Sequence, residues 1–400
     1  RELGSGLRVF EAAVERDVVR GLERDGVGLR LLEPALRDLP ERRACAGEAR
    51  GRDAEHAGVL GLQSAERLQA SAIDADLGDD GRSRAEASSP ATPWQTVGHA
   101  VRQAAPGDTL LVAPGDYVET AALPLNADGV SLIGQGTDVS DVRISTPASA
   151  DGLRVKGAGV RIENVWIDGP KRGVIAFNSA DALRLLKVAV TNTAGEGIVI
   201  DVADDVVIEG CIVTGAGSTG IATRKAKRLV LRDSDVYANA ASGIFVRKAD
   251  ADLGFLTVHA NGGRGVRVLG ATVDLHDSVL TNNGGAAVFA RGAKPVAVDH
   301  VLFWANDAAV NDDVPPVVSN PVLGRIDADP LYVDADGTDN LLGGAGWADD
   351  DLSLEQPPEQ TATSPAVDAG SGTAADLDVT GSTSSNGAAD AGMADLGAHR

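Results

Sequence analysis

The sequence predicts an all-β protein with the fold of a right-handed parallel β-helix, a solenoid in which short strands stack coil upon coil. Three observations predict it. Aliphatic segments recur every 22 to 24 residues, a series of asparagines recurs with the same period, and the chain has 48 glycines but only 3% aromatic residues. Solenoids have such fixed repeats because each repeat buries its apolar side chains only against its neighbours.

The strand repeat occupies the middle of the chain. It starts at Gly173, Gly197, Gly220, Gly243, Gly265 and Ala287, and ends at Val310. Side chains alternate between the two faces of a strand, so each segment directs two side chains inward. The predicted inward pairs are Val174 and Ala176, Ile198 and Ile200, Ile221 and Thr223, Ile244 and Val246, Val266 and Val268, and Val288 and Ala290. Each buried Ile or Val contributes roughly 1.5–3 kcal/mol.

The asparagine series marks one turn of each coil. Asn239, Asn261, Asn283 and Asn306 follow one another at intervals of 22, 22 and 23 residues. Asparagine tolerates the left-handed backbone of a turn, and its amide can bond to the amide of the next coil. The series therefore predicts a stack of asparagine side chains along the rod.

Three regions follow from the period. Residues 76–311 are predicted to form the β-helix, opened by a capping helix that begins after Thr96, buries Val97 and Val101 and ends before Pro106. Residues 312–400 lose the period and predict an irregular, loop-rich C-terminal cap or tail packed over the end of the rod. Residues 1–75, rich in Arg, Glu and Leu, predict an N-terminal extension that is either helical or disordered.

Composition excludes several classes of function. The net charge of −22 argues against a nucleic-acid partner. The sequence has no run of 18 apolar residues, so no transmembrane segment is predicted. Cys45 and Cys211 are too few for a disulfide framework or a metal quartet, and Cys211 is expected to be a buried thiol. The chain begins at Arg1 without an export signal, so we interpret this end as truncated.

The flanking segments carry a family resemblance. "SSPATPWQTVGHAVRQAAPGDTLLVAPGDYVE" resembles the N-terminal module of bacterial secreted right-handed β-helix repeat proteins of the pectate-lyase-like superfamily, and "DADPLYVDADGTDN" with "AADAGMADLGAHR" resembles their C-terminal segment. The resemblance covers about residues 78–400. It implies the fold and an extracellular or cell-surface location. The reaction stays open, because this superfamily includes lyases, hydrolases, esterases and non-catalytic surface proteins.

The outward positions of the strand repeat predict a binding face. They bring together four arginines and two phenylalanines on successive coils, beside Lys225 and Lys248: Arg224, Arg247, Arg267, Arg291, Phe245 and Phe289. Like charges gain nothing from adjacency, and an acidic polysaccharide along the rod would relieve their repulsion because arginine binds carboxylates bidentately. A solvated stripe whose arginines fan apart or pair with acids is the structural alternative.

Cleavage would need further groups. A polysaccharide lyase requires a base and a cation that neutralises the uronate carboxylate. Relatives use Arg or Lys as the base and often Ca²⁺ held by Asp, which would make Lys225, Lys248 or Arg247 the catalytic residue here. Nearby acids that could hold the ion are Asp201, Asp204, Asp205, Asp233 and Asp235. The alternative is that these acids cap turns.

Two more patterns allow alternative interpretations. Asp334, Asp336 and Asp339 in "DADGTDN" have the spacing of an oxygen-rich Ca²⁺ loop, and the alternative is a solvated Asp-Gly turn. Tyr237, His259, Thr281 and Trp304 form a second outward column that either stacks sugars or packs under the tail.

Two functions remain open. The chain is a monomeric extracellular β-helix that binds, and in one version cleaves, an acidic polysaccharide, or it is a non-catalytic surface or adhesive scaffold. The coils carry no long insertion that would wall a cleft, which favours binding or scaffolding over catalysis.

Overall fold

The protein is a parallel β-solenoid built from two sheets. The computed structural model describes residues 70–177, 179–292, 294–311, 318 and 322–399. One sheet, the large sheet, has 14 strands, and a second, the small sheet, has nine. Nine coils at about 4.8 Å each give a rod of about 40 Å.

The strands are named in chain order. The large sheet contains β1 (Ala70–Ile73), β2 (Thr109–Val112), β3 (Gly115–Val118), β5 (Ser131–Gly134), β6 (Val142–Ser145), β8 (Arg161–Asp168), β10 (Arg184–Thr191), β12 (Val207–Glu209), β13 (Ile212–Thr214), β15 (Leu229–Tyr237), β17 (Asp250–His259), β19 (Thr272–Thr281), β21 (Val296–Trp304) and β23 (Ile326–Asp327). The small sheet contains β4 (Leu123–Leu125), β7 (Leu153–Val155), β9 (Val174–Ala176), β11 (Ile198–Ile200), β14 (Ile221–Thr223), β16 (Ile244–Arg247), β18 (Val266–Leu269), β20 (Ala286–Arg291) and β22 (Ala308–Asn311).

Each coil contributes one strand to the small sheet and one or two strands to the large sheet, in the order predicted from the repeat. In the small sheet Ile244 aligns with Val266, and Val266 with Val288. Every predicted inward side chain is at most 1% exposed and so lies in the core. The predicted fold and its strand register are therefore confirmed.

The asparagine series forms the predicted ladder. The Asn261 side-chain amide donates to Asn283 Oδ1 at 3.0 Å and to the Val236 carbonyl at 2.9 Å. The same pairing joins Asn239 to Asn261 and Asn283 to Asn306. The expectation that the asparagines themselves adopt the left-handed conformation is wrong. The residue before each asparagine has the positive φ, as in Ala260 at 50°, and this turn points every amide along the rod.

The N-terminal end of the rod is covered by helix α1 (Val97–Gln103). The Thr96 hydroxyl accepts from the His99 backbone N–H at 3.1 Å, so the predicted N-cap is confirmed. Val97 and Val101 are buried against the first coils. The large sheet begins at Ala70, six residues before the predicted start of the β-helix, while residues 1–69 of the predicted extension lie outside the described residues.

The C-terminal tail takes a different path from the one predicted. It includes β24 (Tyr332–Asp334) and β25 (Asp351–Leu354), which form a two-stranded antiparallel sheet. The tail lies along the outer face of the large sheet: Trp347 meets Trp166 on β8, and Leu396 packs with Leu302 on β21. The large side chains on the outer face of this sheet are shielded from water when the tail packs on them. This explains why the tail runs along the side of the rod as well as over its end.

Candidate functional site

The outer face of the small sheet is basic. Its nine strands contain four arginines and neither Asp nor Glu. The arginines are Arg247, Arg267, Arg291 and Arg154, of which Arg154 pairs with Asp151 at 3.7 Å. In a chain with a net charge of −22, this segregation gives one face a local sign opposite to that of the whole protein.

Three of these four arginines lie over aromatic rings: Arg154 over Phe177, Arg267 over Phe245 and Arg291 over Phe289. Arg267 aligns between Phe245 and Phe289 in the ladder. Its guanidinium carbon lies 4.9 Å from the centre of the Phe245 ring, on the preceding coil. On the following coil, Phe289 carries Arg264 at 3.9 Å and Arg291 at 5.2 Å. The rings therefore hold cations.

Arg247 and Lys248 complete the face. Both side chains are exposed, and neither forms an ion pair with a residue that the structure describes. Arg247 follows the last inward residue of β16, so its side chain leaves the strand on the outside, next to Phe245. We define the binding face as Phe245, Arg247, Lys248, Arg264, Arg267, Leu269, Phe289 and Arg291.

Arg224 forms two ion pairs, so its charge is neutralised. Its guanidinium pairs with Glu196 at 3.3 Å and with Asp201 at 3.4 Å. These two acids flank β11, so the Arg224 side chain crosses the outer face of that strand. The prediction that Arg224 binds a ligand is not tested, but its charge is already matched by neighbouring acids.

The acids considered for an ion near this face are also paired. Asp201 pairs with Arg224, Asp204 with Lys227, and Asp205 with Arg228. These pairs connect adjacent coils. Lys225, the remaining candidate base, is exposed one coil before Lys248. Catalysis by Lys225, Lys248 or Arg247 stays a prediction.

The three aspartates predicted to bind Ca²⁺ are exposed in the tail. Asp339 Oδ1 accepts from the Leu341 N–H at 2.8 Å, as in an ordinary turn. In the described part of the chain no three residues among His, Cys, Asp and Glu are grouped to hold a metal ion. Calcium binding by Asp334, Asp336 and Asp339 stays a prediction.

The second outward column packs under the tail, as one of its two interpretations predicted. His259 meets Tyr332 at a ring distance of 5.1 Å, and the Tyr332 hydroxyl lies 3.1 Å from Thr281 Oγ1. Burial lowers the pKa of His259 to about 4, so this imidazole is neutral. Trp304, at the end of the column, is 42% exposed.

A cluster of His276 and two aspartates lies where the tail attaches to the large sheet, and the sequence did not predict it. His276 Nδ1 lies 2.8 Å from Asp277 Oδ2, and His276 Nε2 lies 2.9 Å from Asp252 Oδ1. Burial lowers the pKa of His276, but the hydrogen bonds to the two carboxylates outweigh burial and raise it to about 10. The wholly buried Asp277 also accepts from the Ser371 N–H and hydroxyl, which anchors the tail.

The uncovered outer face of the large sheet carries charges of both signs. A shallow depression of about 500 Å³ on it is lined by apolar side chains, Arg228, and the aspartates Asp250, Asp252 and Asp274. Asp250 pairs with Lys294 at 3.7 Å and Asp252 with His276 at 2.9 Å. The strands of the small sheet, by contrast, contain arginines and no acid, so this is the face better suited to an anionic ligand.

Comparisons with known proteins agree with the fold. Residues 123–256 match the family model described as a right handed beta helix region. The alginate lyase from Paenibacillus sp. str. FPU-7 is 16% identical with a TM-score of 0.50, and the alignment covers 58% of this chain and 93% of that one. No curated protein sequence matches at a significant level.

Two further structures are similar at lower TM-scores. The Azotobacter vinelandii mannuronan C-5 epimerase AlgE4 A-module is 15% identical with a TM-score of 0.36, over 64% of this chain and 95% of that one. ORF18 of Geobacillus virus E2 is 14% identical with a TM-score of 0.42. That alignment covers 58% of this chain and 56% of ORF18, so the chain matches little more than half of that relative. Among the described residues, no helix has the length and apolar character needed to cross a membrane.

Proposed function

We propose that this right-handed parallel β-helix is an extracellular protein that binds an acidic polysaccharide along the binding face of the small sheet. One observation carries the proposal: the nine strands of that sheet contain four arginines and no acid, within a chain whose net charge is −22. A long polyanion is the ligand that a linear row of cations complements best.

The geometry of the arginines suits carboxylates. A guanidinium that lies flat on a ring keeps its N–H edge directed sideways, where it donates two parallel hydrogen bonds to one carboxylate. Arg267 lies 4.9 Å from the centre of the Phe245 ring, and Arg291 lies 5.2 Å from the centre of the Phe289 ring. The rings restrict the side chains before the ligand arrives, so less conformational entropy is lost on binding.

Binding is the function these residues support directly, and cleavage by Lys225, Lys248 or Arg247 stays a prediction. A lyase site needs a base and a cation that converge on one sugar. Lys225 and Lys248 are exposed, and the described residues hold no grouped metal ligands. The alginate lyase with this fold is named for an acidic polysaccharide, which is consistent with a polyuronate as the ligand here.

Calorimetry with polyuronates tests the proposal. The change Arg247→Ala is expected to weaken binding about tenfold, because one charge-assisted pair is lost. The matched control is Arg184→Ala, which removes an exposed arginine from the large sheet and is expected to leave affinity unchanged. If the wild type binds no anionic polysaccharide, the scaffold function becomes the better account.

A further inference from the structure

We infer that Glu196 and Asp201 determine where the binding face ends, and thereby how many sugars of an acidic polysaccharide the protein contacts. The inference rests on the proposed function and specifies the length of its site. It is carried by a change in the partners of the outward cations along the small sheet. Arginines on the N-terminal coils pair with carboxylates, whereas Arg247, Arg264 and Arg267 form no ion pair with a described acid.

The break in the row of cations lies on the coils of β11 and β14. Arg224 follows β14, and its guanidinium reaches back to Glu196 at 3.3 Å and to Asp201 at 3.4 Å, on either side of β11. Val199, the outward residue of β11, is 0% exposed, which agrees with a guanidinium bridge across that strand. Lys225, in the turn after β14, brings the local count to two cations against two acids. These coils therefore offer no net positive charge to a polyanion.

The cations on the next coils have rings as partners in place of acids. Arg267 lies 4.9 Å from the centre of the Phe245 ring, and Arg264 lies 3.9 Å from the centre of the Phe289 ring. Arg247 is exposed and has no acidic partner in the described part of the chain. Rings orient a guanidinium without cancelling its charge, so these coils stay cationic.

The cationic part of the face is short. On its N-terminal side, beyond the break, Arg154 and Arg172 both pair with Asp151, at 3.7 Å and 2.8 Å. On its C-terminal side, β22 contains no cation and is preceded by the exposed Asp307. The coils of β16, β18 and β20 remain, and three coils span about 15 Å. A sugar of an extended uronan is about as long as one coil is high, so the face contacts about three sugars.

A fourth sugar gains nothing from Arg224. To bind this arginine, a uronate carboxylate has to displace Glu196 and Asp201. The two displaced acids then lie unpaired beside an anionic ligand and repel it. Glu196 and Asp201 are therefore specificity-determining residues, because they limit the contact by repulsion.

Calorimetry on the full chain, with oligouronates from dimer to pentamer, tests the inference. A longer oligomer binds in more registers, which changes the entropy alone, so the binding enthalpy reports the length of the contact. In the wild type the enthalpy is expected to stop growing at about three sugars. The double change Glu196→Gln/Asp201→Asn releases Arg224. The enthalpy is then expected to grow up to about four sugars, and affinity for the tetramer to rise about tenfold through one added charge-assisted pair.

Two further variants separate the release of Arg224 from the loss of negative charge. Adding Arg224→Ala to the double change is expected to restore the wild-type limit. Asp274→Asn/Glu359→Gln removes two exposed acids from other surfaces and is expected to keep that limit. Exposed ion pairs contribute little to stability, so every variant is expected to melt as the wild type does.

The outcomes separate the inference from the function on which it rests. The same limit in the wild type and in Glu196→Gln/Asp201→Asn would overturn the inference and leave the proposed function intact. An equal gain in the variant that also lacks Arg224 would overturn it too, because the two acids would then act through net charge alone. Failure of every uronate oligomer and polymer to bind would overturn the proposed function itself.

Discussion

At the scale of single residues, the binding face depends on pairs of arginine and phenylalanine. Phe245 and Phe289 alternate with Arg267 along the ladder, and each ring carries at least one guanidinium. Without the rings, long cationic side chains would spread into water to reduce repulsion. The phenylalanines are therefore positioning residues for the cations.

This role predicts the effect of replacing a ring. Phe245→Leu keeps an apolar side chain but removes the surface under Arg267, so affinity for polyuronates is expected to fall about three- to tenfold, in line with one cation–π contact. The number of charges is unchanged, so the salt dependence of binding is expected to match wild type. Calorimetry at two salt concentrations measures both quantities. A reduced salt dependence would show that Phe245 does more than position Arg267.

The asparagine ladder permits a second prediction at this scale. Asn261→Ala removes an amide that donates to the Val236 carbonyl and to Asn283 Oδ1, and it removes the oxygen that accepts from the buried N–H groups of Asn239. We expect the free energy of unfolding to fall by about 1–3 kcal/mol in chemical denaturation. Asn306→Ala, at the partly exposed end of the ladder, serves as the comparison and is expected to cost less. Equal losses in the two variants would mean that burial does not determine how much each asparagine contributes to the free energy of unfolding.

At the scale of elements, the tail and the large sheet act as one unit. Phe255 packs with Ala374 and Ala394, and Asp277 accepts from Ser371. His276 supplies the positive charge that offsets Asp277 and Asp252, and Arg232 lies 5.8 Å from the Phe255 ring beside them. An isolated buried carboxylate is costly, so the protonated histidine stabilises the junction.

The junction predicts a loss of stability in alkali. The pKa of His276 is about 10 in the folded protein and 6.5 without the fold, so protonation contributes fully below pH 6.5. The contribution falls as pH rises from 6.5 through about 10. The melting temperature is therefore expected to decline across this range, and less so in His276→Gln, which keeps a side chain that can donate. If the melting temperatures of the wild type and of His276→Gln fall equally with pH, His276 is not the cause of the decline.

The sequence predicted those features that repeat and missed those that do not. Ile244 and Asn261 were placed correctly because two periodicities, within a strand and between coils, determine position without contacts. The alternation of Arg267 and Phe289 was also visible, but the lean of Arg267 onto Phe245 depends on rotamers. The contact of Asp277 with Ser371 joins residues far apart in an aperiodic segment, so no pattern indicated it.

At the scale of the whole molecule, charge is divided between faces. Residues 301–400 contain 2 basic and 18 acidic residues, and this tail packs on the large sheet. The small sheet is the exception. A polyanion that approaches the protein is repelled by the molecule as a whole and attracted by one face.

The balance between repulsion by the whole molecule and attraction by the small sheet depends on the salt concentration. The screening length is about 30 Å at 0.01 M and about 10 Å at 0.1 M. At 0.01 M salt a polyuronate interacts electrostatically with most of the acidic protein. At 0.1 M it interacts only with the arginines that it contacts. Above 0.1 M the contacts themselves weaken.

We therefore expect polyuronate affinity to pass through a maximum near 0.1 M salt. Calorimetry or surface-based binding between about 0.01 and 1 M measures the curve. In Arg247→Ala the decline above the maximum is expected to be shallower, because fewer close contacts are screened, while the rise at low salt persists because the acidic remainder is unchanged. A steady fall from the lowest salt in the wild type would mean that the acidic tail and large sheet lie too far from the ligand to repel it.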